Sequence, residues 1–194
     1  MNKYATSPDE DEILPNLLGF KYREEIAESE LEGFLFAEMA LNEELNENTI
    51  FNIDYVLKIH ELALRHLYSF AGKYRTVNIS KAGFQFPSAM YLAQNMDEFN
   101  REILLQVPKQ YFSMEQLIQK VALVHGELLF IHPFREGNGR TARLLADLMV
   151  RQQGYNGLNF GKIDDILFPE YVKAVQSISI KNYSPMEQII ASLF

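Results

Sequence analysis

Residues 131–143 read IHPFREGNGRTAR, and the stretches on either side of them decide the fold. Upstream, residues 121–131 (VALVHGELLFI) are apolar nearly all round, which for a run of this length marks a buried helix rather than a strand. Pro133 lacks a backbone N–H and restricts the residue before it to extended conformations. The helix is therefore expected to end at His132, with extended backbone there and the imidazole projecting into a cleft. Downstream, Leu145, Leu148 and Met149 fall near helical spacing and Gly154 follows the last turn, so a second helix is expected from Arg140 to Gln153. The quoted stretch is thus a short loop strung between two helices.

This loop carries more chemistry than any other part of the chain. His132 offers a titratable imidazole, Phe134 a bulky apolar wedge and Glu136 a carboxylate. Gly137 and Gly139 flank Asn138, and glycines so placed let the backbone pass through positive φ and point successive N–H groups the same way, a nest suited to an anion. The loop feeds a helix N-terminus, whose free N–H groups and positive dipole end favour phosphate. Arg140 and Arg143, three residues apart and so on one face, are expected to reach the same phosphate chain with planar, bidentate forks. Glu136, amid that positive potential, is the candidate ligand for a Mg²⁺ bridging phosphate oxygens. A base near neutral pKa, charge neutralisation and in-line positioning are what attack of a hydroxyl on phosphorus requires.

The chain of 194 residues, 47% hydrophobic and 23% charged, fits one globular unit with a full core. A net charge of −8 argues against general nucleic-acid binding, which needs a basic face. The absence of cysteine excludes a disulfide framework and a Cys-based metal site. No apolar run approaches a membrane span and the first residues lack the apolar core of a signal peptide. The expectation is a soluble, cytoplasmic protein with no membrane contact.

Before the central stretch, residues 1–48 read as an N-terminal arm and helix, with an acidic run at Ser7 to Glu12 and a first helix over 22–46; residues 49–194 read as the rest of one unit. A second helix is expected over 52–70, with Val56, Ile59, Ala63, Leu67 and Phe70 on one face. Its His60 and His66 do not share the i, i+4 face of a metal pair and read as structural or surface residues. Residues 74–86 (YRTVNISKAGFQF) switch to β-branched and aromatic residues around a Gly-containing turn, a hairpin signal. An exposed strand edge of that kind can hold a peptide through main-chain hydrogen bonds, with Lys81 and Phe84 as contacts. Further helices are expected over 88–107, from a capping box at Ser113 and Gln116, from Pro169, and from a capping box at Ser184 and Glu187. His125 reads as a satisfied core histidine. The fold class is mainly α, with six to eight helices and a single β-hairpin.

The stretch fits H-x-F-x-[DE]-G-N-G-R-x-x-R at every specified position, and chance coincidence of all of them is on the order of one in 10¹⁰. It resembles the signature of the Fic (filamentation-induced by cAMP) family. That resemblance implies a Fic-type helical domain with its hairpin as a flap that lines up a target segment, and a protein adenylyltransferase that moves AMP from ATP to a Ser, Thr or Tyr hydroxyl of a target protein. It further implies His132 as general base, Glu136 as holder of Mg²⁺ and Gly137, Asn138 and Gly139 as the anion hole. Arg140 would contact the phosphates and Arg143 would pair with the γ-phosphate. Many members carry an inhibitory helix with [ST]-x-x-x-E-[GN]; Glu32-Gly33 resembles its end, Glu28 stands where Ser or Thr is usual, and Glu32 would be the residue that competes for Arg143. The region 155–163 would lie near the adenine pocket, although Tyr155 and Phe160 read as ordinary packing. Two other readings fit the same residues: a different nucleotidyl or phosphoryl transfer on this scaffold, and a nucleotide-binding module without turnover.

Overall fold

The computed structural model describes residues 13–81 and 83–194, so the acidic run at Ser7 to Glu12 lies outside the described residues. Among them are seven α-helices: α1 (Arg23–Glu44), α2 (Ile53–Leu64), α3 (Leu92–Glu102), α4 (Met114–Ile131), α5 (Asn138–Gln152), α6 (Phe168–Ser177) and α7 (Ser184–Leu193), with a hairpin, β1 (Ser80–Lys81) and β2 (Phe84–Gln85), between α2 and α3. The mainly α reading holds. The hairpin has only two residues per strand, paired antiparallel with Ser80 opposite Gln85 and Lys81 opposite Phe84.

α4 is the axis of the domain, packed on α5, α6 and α7. Its second half is buried on nearly every side, as the consecutive run Val124, His125, Gly126, Glu127, Leu128 and Leu129 shows; the all-round apolar pattern of the sequence has this cause. α5 answers with Leu145, Leu148 and Met149. Its one buried carboxylate, Asp147, accepts from the Leu158 N–H at 2.6 Å and from Arg151, so the loop after α5 is tied back to the helix. Glu127, 4% exposed on α4, accepts from Lys181 at 2.8 Å and from the Tyr183 hydroxyl. That carboxylate pins the turn before α7 to the central helix.

Several boundaries depart from expectation. α2 ends at Leu64, not near residue 70, because the chain folds back in tight turns that bury Leu67 and Tyr68 from non-helical backbone. The third helix is shorter than 88–107, with 3₁₀ turns at both ends. At α4 the Ser113 hydroxyl accepts from the Gln116 N–H at 3.2 Å, but the Gln116 side chain takes the Phe112 N–H, one residue earlier than a capping box requires. Ser184 lies inside α7, whose cap, Tyr183, makes no side-chain cap bond. Among the described residues no helix is long and apolar enough to cross a membrane.

α1 packs chiefly on α2, contributing Phe34, Ala37 and Leu41 to the core. The closeness of the two helices depends on Gly33: a Cβ built there would stand 1.9 Å from the Ala63 carbonyl oxygen, a backbone atom that cannot yield without moving α2. Overpacking of this sort costs at least ~2 kcal/mol, which for a domain of this size is a fall in Tm of about 4–8 °C. Gly33→Ala should show that fall in a calorimetric scan; an unchanged Tm would mean the helices are not in contact at this point.

Candidate active site

The C-terminus of α4 and the N-terminus of α5 are brought within a few residues of each other by a loop that closes on itself. The Phe134 N–H donates to Asn138 Oδ1 at 2.8 Å, and Asn138 Nδ2 donates to the Phe134 carbonyl at 2.7 Å. Asn138 is buried, so its amide serves the loop rather than facing outward with the glycines. Gly137 takes positive φ (78°), where a Cβ would also strike Leu64 at 2.8 Å. Gly139, by contrast, is an ordinary helical residue of α5, so only one of the two glycines makes the turn. The Thr141 N–H bonds the Gly137 carbonyl at 2.9 Å, which leaves the N–H groups of Asn138, Gly139 and Arg140 without an intrahelical acceptor. Free N–H groups at a helix start are donors of the kind that suit an anion.

His132 caps α4 in the left-handed region, φ 53° and ψ 60°, not in the extended conformation that Pro133 favours. Its own N–H reaches the Leu128 carbonyl at 3.0 Å, and its carbonyl accepts from Arg75 Nε at 2.8 Å. Imidazole Nδ1 lies 3.1 Å from the Leu129 carbonyl. A carbonyl only accepts, so Nδ1 carries the proton and Nε2 keeps its lone pair. Phe86, just beyond β2, stacks on the ring at 3.8 Å. Crowding by protein atoms disfavours the imidazolium, the charges of Lys81 and Arg75 act the same way, and the Leu129 bond opposes them. Part of the residue still reaches solvent, so the geometry fixes the direction, toward a neutral imidazole.

Glu136 is about half open, 45% exposed. Its Oε1 accepts from the Gly137 N–H at 2.7 Å and lies 3.4 Å from Arg140. Lys81 and Phe84 sit on the hairpin beside this site, Phe84 against Phe86 at 5.2 Å and Phe130 at 6.2 Å. The hairpin is therefore packed over the turn that carries His132.

Three contributors were not read from the sequence as site residues. His60 on α2, fully buried, accepts from the Gly72 N–H at Nδ1 (2.8 Å), so its Nε2–H donates to the Glu136 carbonyl at 2.9 Å, and its ring stacks on Phe134 at 3.8 Å. Its place beside Val56, Ile59 and Ala63 on the buried face was visible; its partner, 76 residues away, was not. Arg75 carried no signal at all. Glu30 lies in register with Phe34, Ala37 and Leu41 on the buried stripe of α1, and a carboxylate on an apolar stripe was the available clue.

The α1 carboxylate that meets an arginine of the 131–143 stretch is Glu30, not Glu32. Two positions along a helix is more than half a turn, so Glu32 faces solvent while Glu30, 9% exposed, meets Arg140 Nη2 at 2.6 Å. The Tyr68 hydroxyl donates to its other oxygen at 2.7 Å, and burial together with that carboxylate pushes the phenol pKa up. Arg140 also lies over Phe34 at 5.0 Å. Arg143 is not held with it: its guanidinium lies 5.9 Å from the ring centres of both Phe160 and Tyr171, and its buried Nε has no hydrogen-bond partner. The two arginines leave one helix face toward different partners. His125 is a satisfied core histidine as expected, with Nδ1 on the Ala142 carbonyl (3.0 Å) and Nε2 on the Tyr171 hydroxyl (2.7 Å). Tyr155 packs edge-on against Phe194 at 5.7 Å, and Phe160 lies against His125 and Arg143.

Comparison with known proteins matches residues 50–150 to the Fic/DOC family. Protein adenylyltransferase VbhT of Bartonella schoenbuchensis is 29% identical over 164 residues, 80% of this chain and 34% of that protein. Protein adenylyltransferase Fic of Nematostella vectensis is 35% identical over 104 residues, 53% of this chain and 23% of that protein. The chain thus spans about a quarter to a third of these relatives. Among solved structures, the N-terminal Fic domain of a VirB-translocated Bep effector protein of Bartonella quintana superposes with a TM-score of 0.77 at 20% identity, covering 99% of this chain and 91% of that one. BepC of Bartonella tribocorum, solved with bound AMPPNP, superposes with a TM-score of 0.74 at 18% identity, covering 93% and 91%.

Burial holds His60 and His125 at a pKa of about 4, below the ordinary 6.5, with His132 displaced in the same direction. A lowered folded pKa means that the unfolded chain takes up protons the folded one refuses. The stability these groups confer is complete above pH 6.5 and is lost as pH falls toward 4. Urea midpoints measured from about pH 7 to about pH 4.5 should fall continuously. A flat profile would contradict the burial of neutral imidazoles.

Proposed function

The chain belongs to the Fic/DOC family, and on that premise we propose that it transfers AMP from ATP to a hydroxyl side chain of a target protein. The observation that carries the reading is the placement of a neutral His132, its Nε2 lone pair uncommitted, on one side of a closed loop, with the unpaired N–H groups of α5 on the other. Relatives named protein adenylyltransferase support it.

In this reading the hairpin presents the target segment, and His132 Nε2 takes the proton as the Ser, Thr or Tyr oxygen bonds to the α-phosphorus. Pyrophosphate leaves as the P–O bond behind it breaks. The first-turn N–H groups of α5 and its dipole stabilise the oxygens of the phosphate chain. Arg140 and Arg143 serve that chain from the same helix. Glu136 suits Mg²⁺: it is a single, half-open carboxylate beside the phosphate nest, and this cation is commonly held by one or two carboxylates together with phosphates and waters. Among the described residues no cluster of three or more His, Cys, Asp or Glu forms a cage of protein ligands alone. When bound, the ion would supply charge neutralisation between phosphates.

Control by an N-terminal carboxylate belongs to the same reading, with Glu30 as its agent. A phosphate that needs Arg140 competes with Glu30 for it, since both are anions bonded by the same fork.

Added to a cell lysate, the protein should raise incorporation of label from α-labelled ATP above that of the lysate alone, and should not raise incorporation from γ-labelled ATP. His132→Ala should lower α-label transfer by at least about 10²-fold with the fold retained; retained labelling would remove His132 from the role of base. Glu30→Gln should raise labelling about 5- to 100-fold, the range of an ordinary coupling between two sites. Equal or lower labelling from a folded Glu30→Gln protein would mean that this carboxylate does not restrain the site.

A further inference from the structure

Arg75 is 4% exposed, and its three resolved side-chain bonds all run to main-chain carbonyls. Nε donates to His132 at 2.8 Å, Nη1 to Val77 at 2.7 Å and Nη2 to Pro87 at 2.6 Å. Val77 lies on the segment that leads into β1 and Pro87 on the segment that leaves β2. A single planar fork therefore grips both legs of the flap and the turn that carries His132. The backbone adds a fourth tie, from the Arg75 N–H to the Pro133 carbonyl at 2.8 Å.

His132 occupies a left-handed conformation that costs a non-glycine residue about 1–2 kcal/mol. Such a residue stays there only if its surroundings hold it. On the carbonyl side the hold is Arg75; on the ring side it is Phe86, stacked at 3.8 Å, which belongs to the flap that Arg75 also grips. The base and the flap are thus one mechanical body.

We infer that Arg75 is a positioning residue that couples the flap to His132, so that the placement of a target strand on the hairpin and the aim of the base are set together. The inference rests on the proposed transfer activity and adds a specificity device to it. Lysine cannot replace the fork: a compact ammonium cannot donate to three carbonyls in one plane. The phosphate nest is held separately, by Asn138 and by His60 on Glu136. Loss of Arg75 should therefore spare nucleotide binding.

The chain has four histidines, so each imidazole can be followed by NMR. In Arg75→Lys and Arg75→Gln, the His132 signals should move while those of His60 and His125 stay. Amide exchange across the flap should quicken, ATP affinity by calorimetry should remain within about twofold, and α-label transfer should fall about 10- to 100-fold, as expected for a misplaced reacting group. Unmoved His132 signals with wild-type labelling would overturn the inference. Collapse of all histidine signals in both variants would overturn it too, since Arg75 would then be a requirement of the fold. Wild-type protein that labels nothing would refute the transfer activity, while the histidine and exchange readouts would still decide whether Arg75 couples flap and base.

Discussion

The reciprocal amide pair between Asn138 and the backbone of Phe134 is the constraint on which the site depends. One primary amide satisfies both the N–H and the C=O of a residue four positions earlier, and it does so while buried, where an unmet polar group would cost about 1–3 kcal/mol. That closure lets a helix end and a helix begin within seven residues. It also drives Phe134, fully buried, onto the His60 ring. The wedge, the loop and α2 then fix Glu136 through its carbonyl, leaving its carboxylate free to face outward. An acidic protein can in this way keep a small electropositive locus, made largely of helix N–H groups.

The electrostatics of that locus divide between two elements. His132 is pushed toward the neutral form by crowding and by nearby cations, which would suit the proposed role of proton acceptor. The low basicity that accompanies such a shift is tolerable only if the lone pair is well aimed, and this gives the left-handed turn and the Phe86 stack their importance. Arg140, on the other side, is satisfied by Glu30, and Glu30 by Tyr68. Arg143 is the asymmetric member: it lies between two aromatic faces with an unmet buried Nε. Of the two arginines, it is the one whose surroundings leave a polar demand that a ligand could fill.

How much of this was legible follows from the range of each interaction. The helices on either side of residues 131–143 could be read because apolar period and a Pro are local signals. The loop chemistry was equally local, since a helix start, a carboxylate and two arginines lie within one motif. What escaped was what the fold brings from elsewhere. Glu30 reaches Arg140 across 110 residues and His60 reaches Glu136 across 76, and no periodicity names the partner of a buried polar side chain. Gly139 misled in the opposite sense, because glycine permits positive φ without requiring it. His132 departs from the pre-proline preference because tertiary bonds from Arg75 outweigh a local bias of similar size. α2 stops early because Leu67 and Tyr68 bury themselves from a turn, and burial alone does not reveal the backbone that achieves it.

The position of Glu30 also decides how a restraint on Arg140 would be lifted. α1 is not a detachable strap, because the face that carries Glu30 also places Phe34, Ala37 and Leu41 in the core. Undocking the helix would expose Phe34 and Leu41 at about 1.5–3 kcal/mol each, besides opening the close contact at Gly33. Exchanging one charge-assisted bond for another on the same guanidinium is worth less, on the order of 1.5–3 kcal/mol in either direction. The inexpensive path is a local one: Arg140 swings from carboxylate to phosphate while α1 stays in place. Glu30 would then set the threshold of nucleotide engagement rather than act as a barrier that must be removed, and the strength of that threshold would depend on Tyr68, whose hydroxyl holds the carboxylate in line when Arg140 leaves it.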